Sequence, residues 1–262
     1  MRLPRIALLA AVPAAALLTA PAGAQVTVYN NFVGPGHNGW DYNWGLGWTV
    51  AGVNVPAQYG VEQALLFYPS TGGLVSDVWV AMWYVPLDPG VDSVYLRLTR
   101  NPSMQPPRPQ DVMEEWIITD FESWTEWREP KHVKGGGTSF LDKGASYWLW
   151  AAGGDTTWCG WCHNKNPALT CPHTLRREGQ GWLPIANETA SAFRVDVWLR
   201  GDLNCDSVVN NFDIDPFVLA LTDPAGYQAA FPNCFRMLAD CNGDGVVDNF
   251  DIDPFVDLLT VE

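Results

Sequence analysis

Basic side chains are scarce in this chain. Lys and Arg number 15 against 29 Asp and Glu over 262 residues, a formal net charge of −14. A surface that acidic repels phosphate, so the chain is a poor candidate for nucleic-acid binding. Histidine is rarer still, confined to positions 37, 132, 163 and 173. No nucleophile-elbow pattern accompanies any of them, so a Ser-His-Asp triad cannot be argued and no catalytic residue is assigned. Beyond the first 24 residues no apolar run is long enough to span a membrane. Nor does the region 25–200 carry a sustained 3.6-residue period, which argues against long amphipathic helices there.

The first 24 residues have the pattern of a secretory signal. Arg2 and Arg5 give a positive start, "IALLAAVPAAALL" an apolar run, and Ala22-Gly23-Ala24 a small-residue cleavage site. The expectation is a protein exported after cleavage near Ala24, secreted or held at the cell surface, with no membrane span of its own. Two regions remain, 25–200 and 201–262.

Strand patterns fill the first. "DVWVAMWYV" (77–85) alternates Val78, Val80, Met82 and Tyr84 against Trp79, Ala81, Trp83 and Val85. "SVYLRLT" and "FRVDVWLR" alternate likewise, and "VTVYNNF", "QALLFYP", "EEWIITD" and "SYWLWAA" are further short runs. Gly-Pro-Gly, Ser-Thr-Gly-Gly, Asp-Pro-Gly and Gly-Gly-Gly punctuate them. Many short strands between such turns indicate a β-sandwich of the jelly-roll or immunoglobulin-like kind. The fold class expected is therefore mainly β, with a small helical module after it.

Three groups in this region carry possible chemistry. Trp40, Trp44 and Trp48 could form a sugar-stacking platform, but core packing and loop anchoring are the favoured reading. Glu114, Glu115, Asp120, Glu122, Glu126 and Glu129 supply carboxylates, yet nothing shows two of them converging as a glycosidase requires. Cys159-Gly160-Trp161-Cys162-His163 matches the C-x-x-C-H haem attachment pattern, and Cys159, Cys162, Cys171 and His173 could make a Cys₃His zinc site. A disulfide is the favoured reading for an exported chain. With three cysteines in each region, either a bridge joins the regions or each keeps a thiol. Cys159, Cys162, Cys171, Cys205, Cys234 and Cys241 are all candidates, Cys205 with Cys234 being the suggested pair in the tail.

The tail, 201–262, holds 11 Asp and Glu262 against the single basic residue Arg236, for a net −11. It also repeats itself. "NFDIDPFV" occurs at 211–218 and again at 249–256. An exact internal repeat marks a duplicated structural unit. Each copy closes a loop of one template, with Asp202, Asn204, Asp206, Asn210 and Asp213 in the first and Asp240, Asn242, Asp244, Asp248 and Asp251 in the second. Oxygen side chains at loop positions 1, 3, 5, 9 and 12 form the EF-hand-type calcium pattern, and the carbonyls of Val208 and Val246 at position 7 add another oxygen. Two calcium ions are expected. Gly245 suits the sharp turn at position 6, whereas Ser207 makes it with a Cβ at a cost of roughly 1 kcal/mol.

On these loops, the tail resembles a type I dockerin. The resemblance implies two calcium loops, each followed by one helix, "IDPFVLALT" and "IDPFVDLLT". Pro216 and Pro254 confine those helices to beginning no earlier than about Phe212 and Phe250. It also implies docking to a cohesin-like or other surface protein through Asn211, Phe212, Asn249 and Phe250, in either of two orientations. A calcium-stapled terminal cap is the structural alternative. The larger region loosely resembles the sandwich modules of exported planctomycete-type proteins with varied C-terminal anchors, through "YNNFVGPGHNGWDYNWGLGWTV", "YWLWAAGGDTTWCGW" and "AFRVDVW". The function expected is a non-catalytic β domain delivered to a partner by a calcium-binding module; the alternative is a polysaccharide-degrading enzyme or glycan-binding module delivered the same way.

Overall fold

The computed structural model describes residues 25–32, 40–56, 60–85, 93–101, 105–121, 128–166, 168–186 and 188–260. The signal-like segment 1–24, His37, Glu122 and Glu126 lie outside them. Among the described residues the chain is mainly β, with three short helices near its C-terminus. The strands are β1 (Val26–Asn30), β2 (Tyr42–Ala51), β3 (Val61–Phe67), β4 (Gly73–Val80), β5 (Met82–Tyr84), β6 (Val94–Arg100) and β7 (Val112–Ile118). They continue with β8 (Lys131–Lys134), β9 (Phe140–Leu141), β10 (Tyr147–Gly153), β11 (Trp158–Asn164), β12 (His173–Arg177), β13 (Trp182–Ile185) and β14 (Phe193–Trp198).

Two antiparallel sheets form. One runs β1-β14-β4-β8, with β9 also beside β4; the other runs β5-β11-β2-β3-β10-β6-β7, with β12 beside β3 and β13 beside β12. Period-two alternation lets each strand give one face to a shared core. Val75, Val78, Val80, Phe193 and Val195 come from the smaller sheet, and Leu65, Phe67, Leu96, Leu98, Leu149 and Trp161 from the larger. Each large side chain buried this way is worth about 1.5–3 kcal/mol.

The run 77–85 is not one strand. β4 belongs to the smaller sheet and β5 to the larger, and the chain changes sheets at Ala81. Val78, Val80 and Met82 nonetheless keep one inward face through the corner, as their alternation implied. The backbone of Ala81 stays satisfied there, its N–H donating to Ala192 and its carbonyl accepting from Cys162. The Gly-rich stretch around Trp44 and Trp48 forms β2, and the C-x-x-C-H stretch forms β11; neither reads as a strand from sequence.

The last strand runs straight into the tail. Trp198 and Leu74 of the smaller sheet share a buried cluster with Leu203, Phe217, Tyr227 and Leu238, and Trp198 lies 4.6 Å from the ring of Phe235. Gly201, at φ 87°, turns the chain and donates to Leu238. The tail is thus packed on the sheet end rather than strung from it. Its helices are α1 (Ile214–Thr222), α2 (Pro224–Ala230) and α3 (Ile252–Thr260). α1 and α3 are the two repeat segments, with Pro216 and Pro254 in the first turn where no intrahelical N–H is missed. Each follows a 3₁₀ turn, Asn211–Asp213 or Asn249–Asp251. α2 has no counterpart in the repeat; Pro224 begins it, and Asp223 caps it by accepting from Gly226 at 2.9 Å. No helix among the described residues is long and apolar enough to cross a membrane.

Candidate metal and docking site

The two loops share most of their bonds; Leu203 N–H to Asp213, at 2.8 Å, belongs to the first alone and Gly243 N–H to Asp240, at 2.8 Å, to the second alone. Asp202 accepts from Asp206 and Ser207 at 3.0 and 2.9 Å; Asp240 accepts from Asp244 and Gly245 at 3.1 and 3.0 Å. Asn204 accepts from Asp206 at 2.9 Å, and Asn242 from Asp244 at 2.8 Å. Asp206 accepts from Val208, and Asp244 from Val246, both at 2.9 Å. The twelfth residue ties each loop's ends together. Asp213 accepts from Asn204 and Asn210 at 3.1 and 2.9 Å, and Asp251 from Asn242 and Asp248 at 3.0 and 2.9 Å. Asn210 and Asp248 in turn accept from Phe212 and Phe250, completing a capping box at the head of each repeat helix.

Asp202, Asp213, Asp240 and Asp251 are buried. Among the described residues, no Lys or Arg forms an ion pair with any of them. Burial pushes the Asp202 carboxyl up to about 6; the amides of Ser207 and Asp206 oppose this, and the charge of Asp213 adds to it. Burial also raises Asp213, against the amides of Asn210, Asn204 and Leu203. Buried carboxylates without a counter-charge are costly, and a bound cation relieves them. The all-oxygen donor set is that of a hard cation such as calcium. In this conformation, no three His, Cys, Asp or Glu among the described residues close on one point. One contributor is visible: Asn204 and Asn242 each turn an amide N–H onto the neighbouring Asp206 or Asp244, at 3.0 Å. The residues that would hold the ions are Asp202, Asn204, Asp206, the Val208 carbonyl, Asn210 and Asp213, and Asp240, Asn242, Asp244, the Val246 carbonyl, Asp248 and Asp251.

Beside the loops the two copies expose the same apolar residues. Phe212 is 78% exposed and Phe250 77%. Ile214 and Val218 of α1, and Ile252 and Val256 of α3, are exposed as well, as are Val208 and Val246. Asn211 and Asn249 lie at the surface next to the phenylalanines. Sequence reasoning singled out the phenylalanines but not the isoleucines and valines that continue the face. The signal was available: "IDPFVLALT" holds more apolar residues than one buried side of a nine-residue helix can take. Asp215, Asp223, Asp253 and Asp257 are exposed around these faces. Arg236, the tail's one cation, donates to the Ala220 and Val247 carbonyls.

The cysteines depart from expectation. Cys205 and Cys234 form a disulfide, the suggested tail pair. Cys159 and Cys162 do not bridge to each other. They are three residues apart on β11, facing opposite sides, Cys159 toward the core between the sheets and Cys162 toward Phe32, Tyr42 and Ala192. Residues so spaced on a strand are about 10 Å apart, too far for a disulfide. The same opposition separates the thiols in the haem and zinc patterns. Cys171 and Cys241 are also thiols, and no bridge joins the tail to the sheets.

The other candidates scatter. Trp40 packs on Phe32 and Trp79, and Trp48 on His163 and His173, while Trp44 is exposed in a bulge of β2; the three share no platform. Glu114 and Glu115 are consecutive on β7 and take opposite sides, Glu114 accepting from Gly136 and Glu115 pairing with Arg97. Asp120 lies 3.7 Å from the Lys131 ammonium.

No protein-family model and no curated protein matches the chain.

Proposed function

We propose that this is an exported, non-catalytic protein whose sandwich-like β domain (25–200), of jelly-roll or immunoglobulin-like kind, is docked to a surface partner by a dockerin-like, calcium-ordered module (201–262). One observation carries the reading: two copies of one apolar face, Phe212-Ile214-Val218 and Phe250-Ile252-Val256, stand open at closely similar exposure. Large exposed aromatics are costly to solubility and typical of binding hot spots. Two calcium ions order the loops that present them. The rim of each face is acidic and the module's only arginine points inward, so the partner is a cohesin-like or other protein that offers an apolar pocket with basic surroundings.

The test uses the full chain as bait on cell-surface extract of the source organism, in calcium and in EDTA. The same partner species should be retained by wild type and by Phe212→Ala or Phe250→Ala, lost from the double variant, and lost in EDTA. Retention by the double variant would contradict the reading.

A further inference from the structure

The fourth residue of each loop sits in the left-handed region, Cys205 at φ 58° and Gly243 at φ 78°. The sixth does too, Ser207 at φ 74° and Gly245 at φ 90°. Loop two meets both demands with glycine, which adopts this conformation at little cost. Loop one meets both with residues that carry a Cβ. It should therefore be the looser loop, and yet the bonds donated by its fifth, sixth and seventh residues match those of loop two to about 0.1 Å. Position four is where they differ: the Gly243 N–H donates to Asp240 at 2.8 Å, a bond Cys205 does not make to Asp202.

The difference lies in what holds position four. Cys205 stands between Asn204 and Asp206, two of the residues proposed to face the ion, and its sulfur is bonded to Cys234. Cys234 is buried with Leu203, Tyr227 and Leu238 in the cluster the tail shares with Leu74 and Trp198. Tyr227 adds a second tie to the same stretch, its hydroxyl donating to the Leu203 carbonyl at 2.9 Å. Loop two has glycine at position four and therefore no bridge. A Cβ on Gly243 would come within 2.9 Å of Nη1 of Arg200, so the end of that side chain, which lies over the Phe140 ring, would have to shift.

We propose that the Cys205–Cys234 disulfide is the positioning element of the first calcium site: it holds a strained loop in the ion-accepting shape that glycine provides in the second. This rests on the calcium reading above. A cross-link removes alternative conformations from the ion-free loop, so less ordering remains to oppose binding. The first site is then dependent on the bridge, and the second is not.

The experiment is a calcium titration of the full chain, read at the backbone amides of Ser207 and Gly245. These are equivalent reporters, since each donates to the first aspartate of its own loop. In Cys205→Ala/Cys234→Ala the Ser207 reporter should show affinity weakened about tenfold or more, with Gly245 within about twofold. Cys205→Gly/Cys234→Ala should recover much of the loss, because glycine restores the conformation without the bridge. Should the alanine variant fold poorly, the wild-type chain is titrated after dithiothreitol treatment, which reduces the bridge to two thiols as the reagent closes to its cyclic disulfide; the same selective loss is expected. Equal weakening at both reporters, or no weakening at either, overturns the proposal while leaving the calcium reading intact. A wild-type chain that moves neither reporter overturns both.

Discussion

The rings of Phe217 and Phe255 lie face to face, centroids 4.0 Å apart and planes within 5°. Each is the phenylalanine of a repeated Asp-Pro-Phe, so the duplicated segment packs against its own copy. Within each repeat, then, one phenylalanine is spent on the inside, and the other, Phe212 or Phe250, is left outside.

That division predicts opposite mutational behaviour. Phe217→Ala or Phe255→Ala should destabilise the tail by about 3–5 kcal/mol. Phe212→Ala and Phe250→Ala should change stability by no more than about 0.5 kcal/mol. Denaturant melts in calcium compare them; comparable losses from the inner and outer pairs would show that Phe212 and Phe250 are structural.

A peptide map checks the cysteines. After alkylation under denaturing conditions without reductant, the peptide containing Cys205 should be found joined to that containing Cys234. The peptide holding Cys159 and Cys162 should carry two alkyl groups. A Cys159–Cys162 bridge would contradict the strand geometry of β11.

Stability should also depend on pH through His173. Gln63 donates its amide to the Thr49 carbonyl at 2.7 Å, which leaves its oxygen to accept from His173 Nε2 at 2.6 Å. Nδ1 is then a buried atom without a partner. Burial, with a smaller contribution from His163, lowers the imidazole from 6.5 to about 4. The unfolded chain therefore takes up this proton first as pH falls. The stabilisation due to neutral His173 is complete above about pH 6.5 and is lost progressively down to about pH 4, at up to ~1.4 kcal/mol per pH unit. Denaturant melts of wild type and His173→Gln across that window should diverge in slope. Parallel slopes would mean His173 is not held neutral by the fold.

The mainly β architecture was legible because strands such as β6 and β14 alternate cleanly. The switch of sheets at Ala81 was not, since Val78, Val80 and Met82 keep their period through the bend. β11 was hidden by its motif: Cys, Trp and Gly at short spacing suggest ligands, whereas their burial comes from neighbours far away in sequence. In the tail the repeat announced both loops and both helix starts, because every participant in the capping and loop bonds lies within twelve residues. Whether Phe212 would be inside or outside could not be read, as it depends on Phe217 meeting Phe255 across 38 positions of chain.

The central claim is that calcium orders the tail, and calorimetric titration of calcium into the full chain, paired with thermal melts in calcium and in EDTA, tests it most directly. Two ions per chain should bind, and removing them should lower the melting temperature of the tail. A chain that takes up no calcium and melts identically in EDTA would contradict the account.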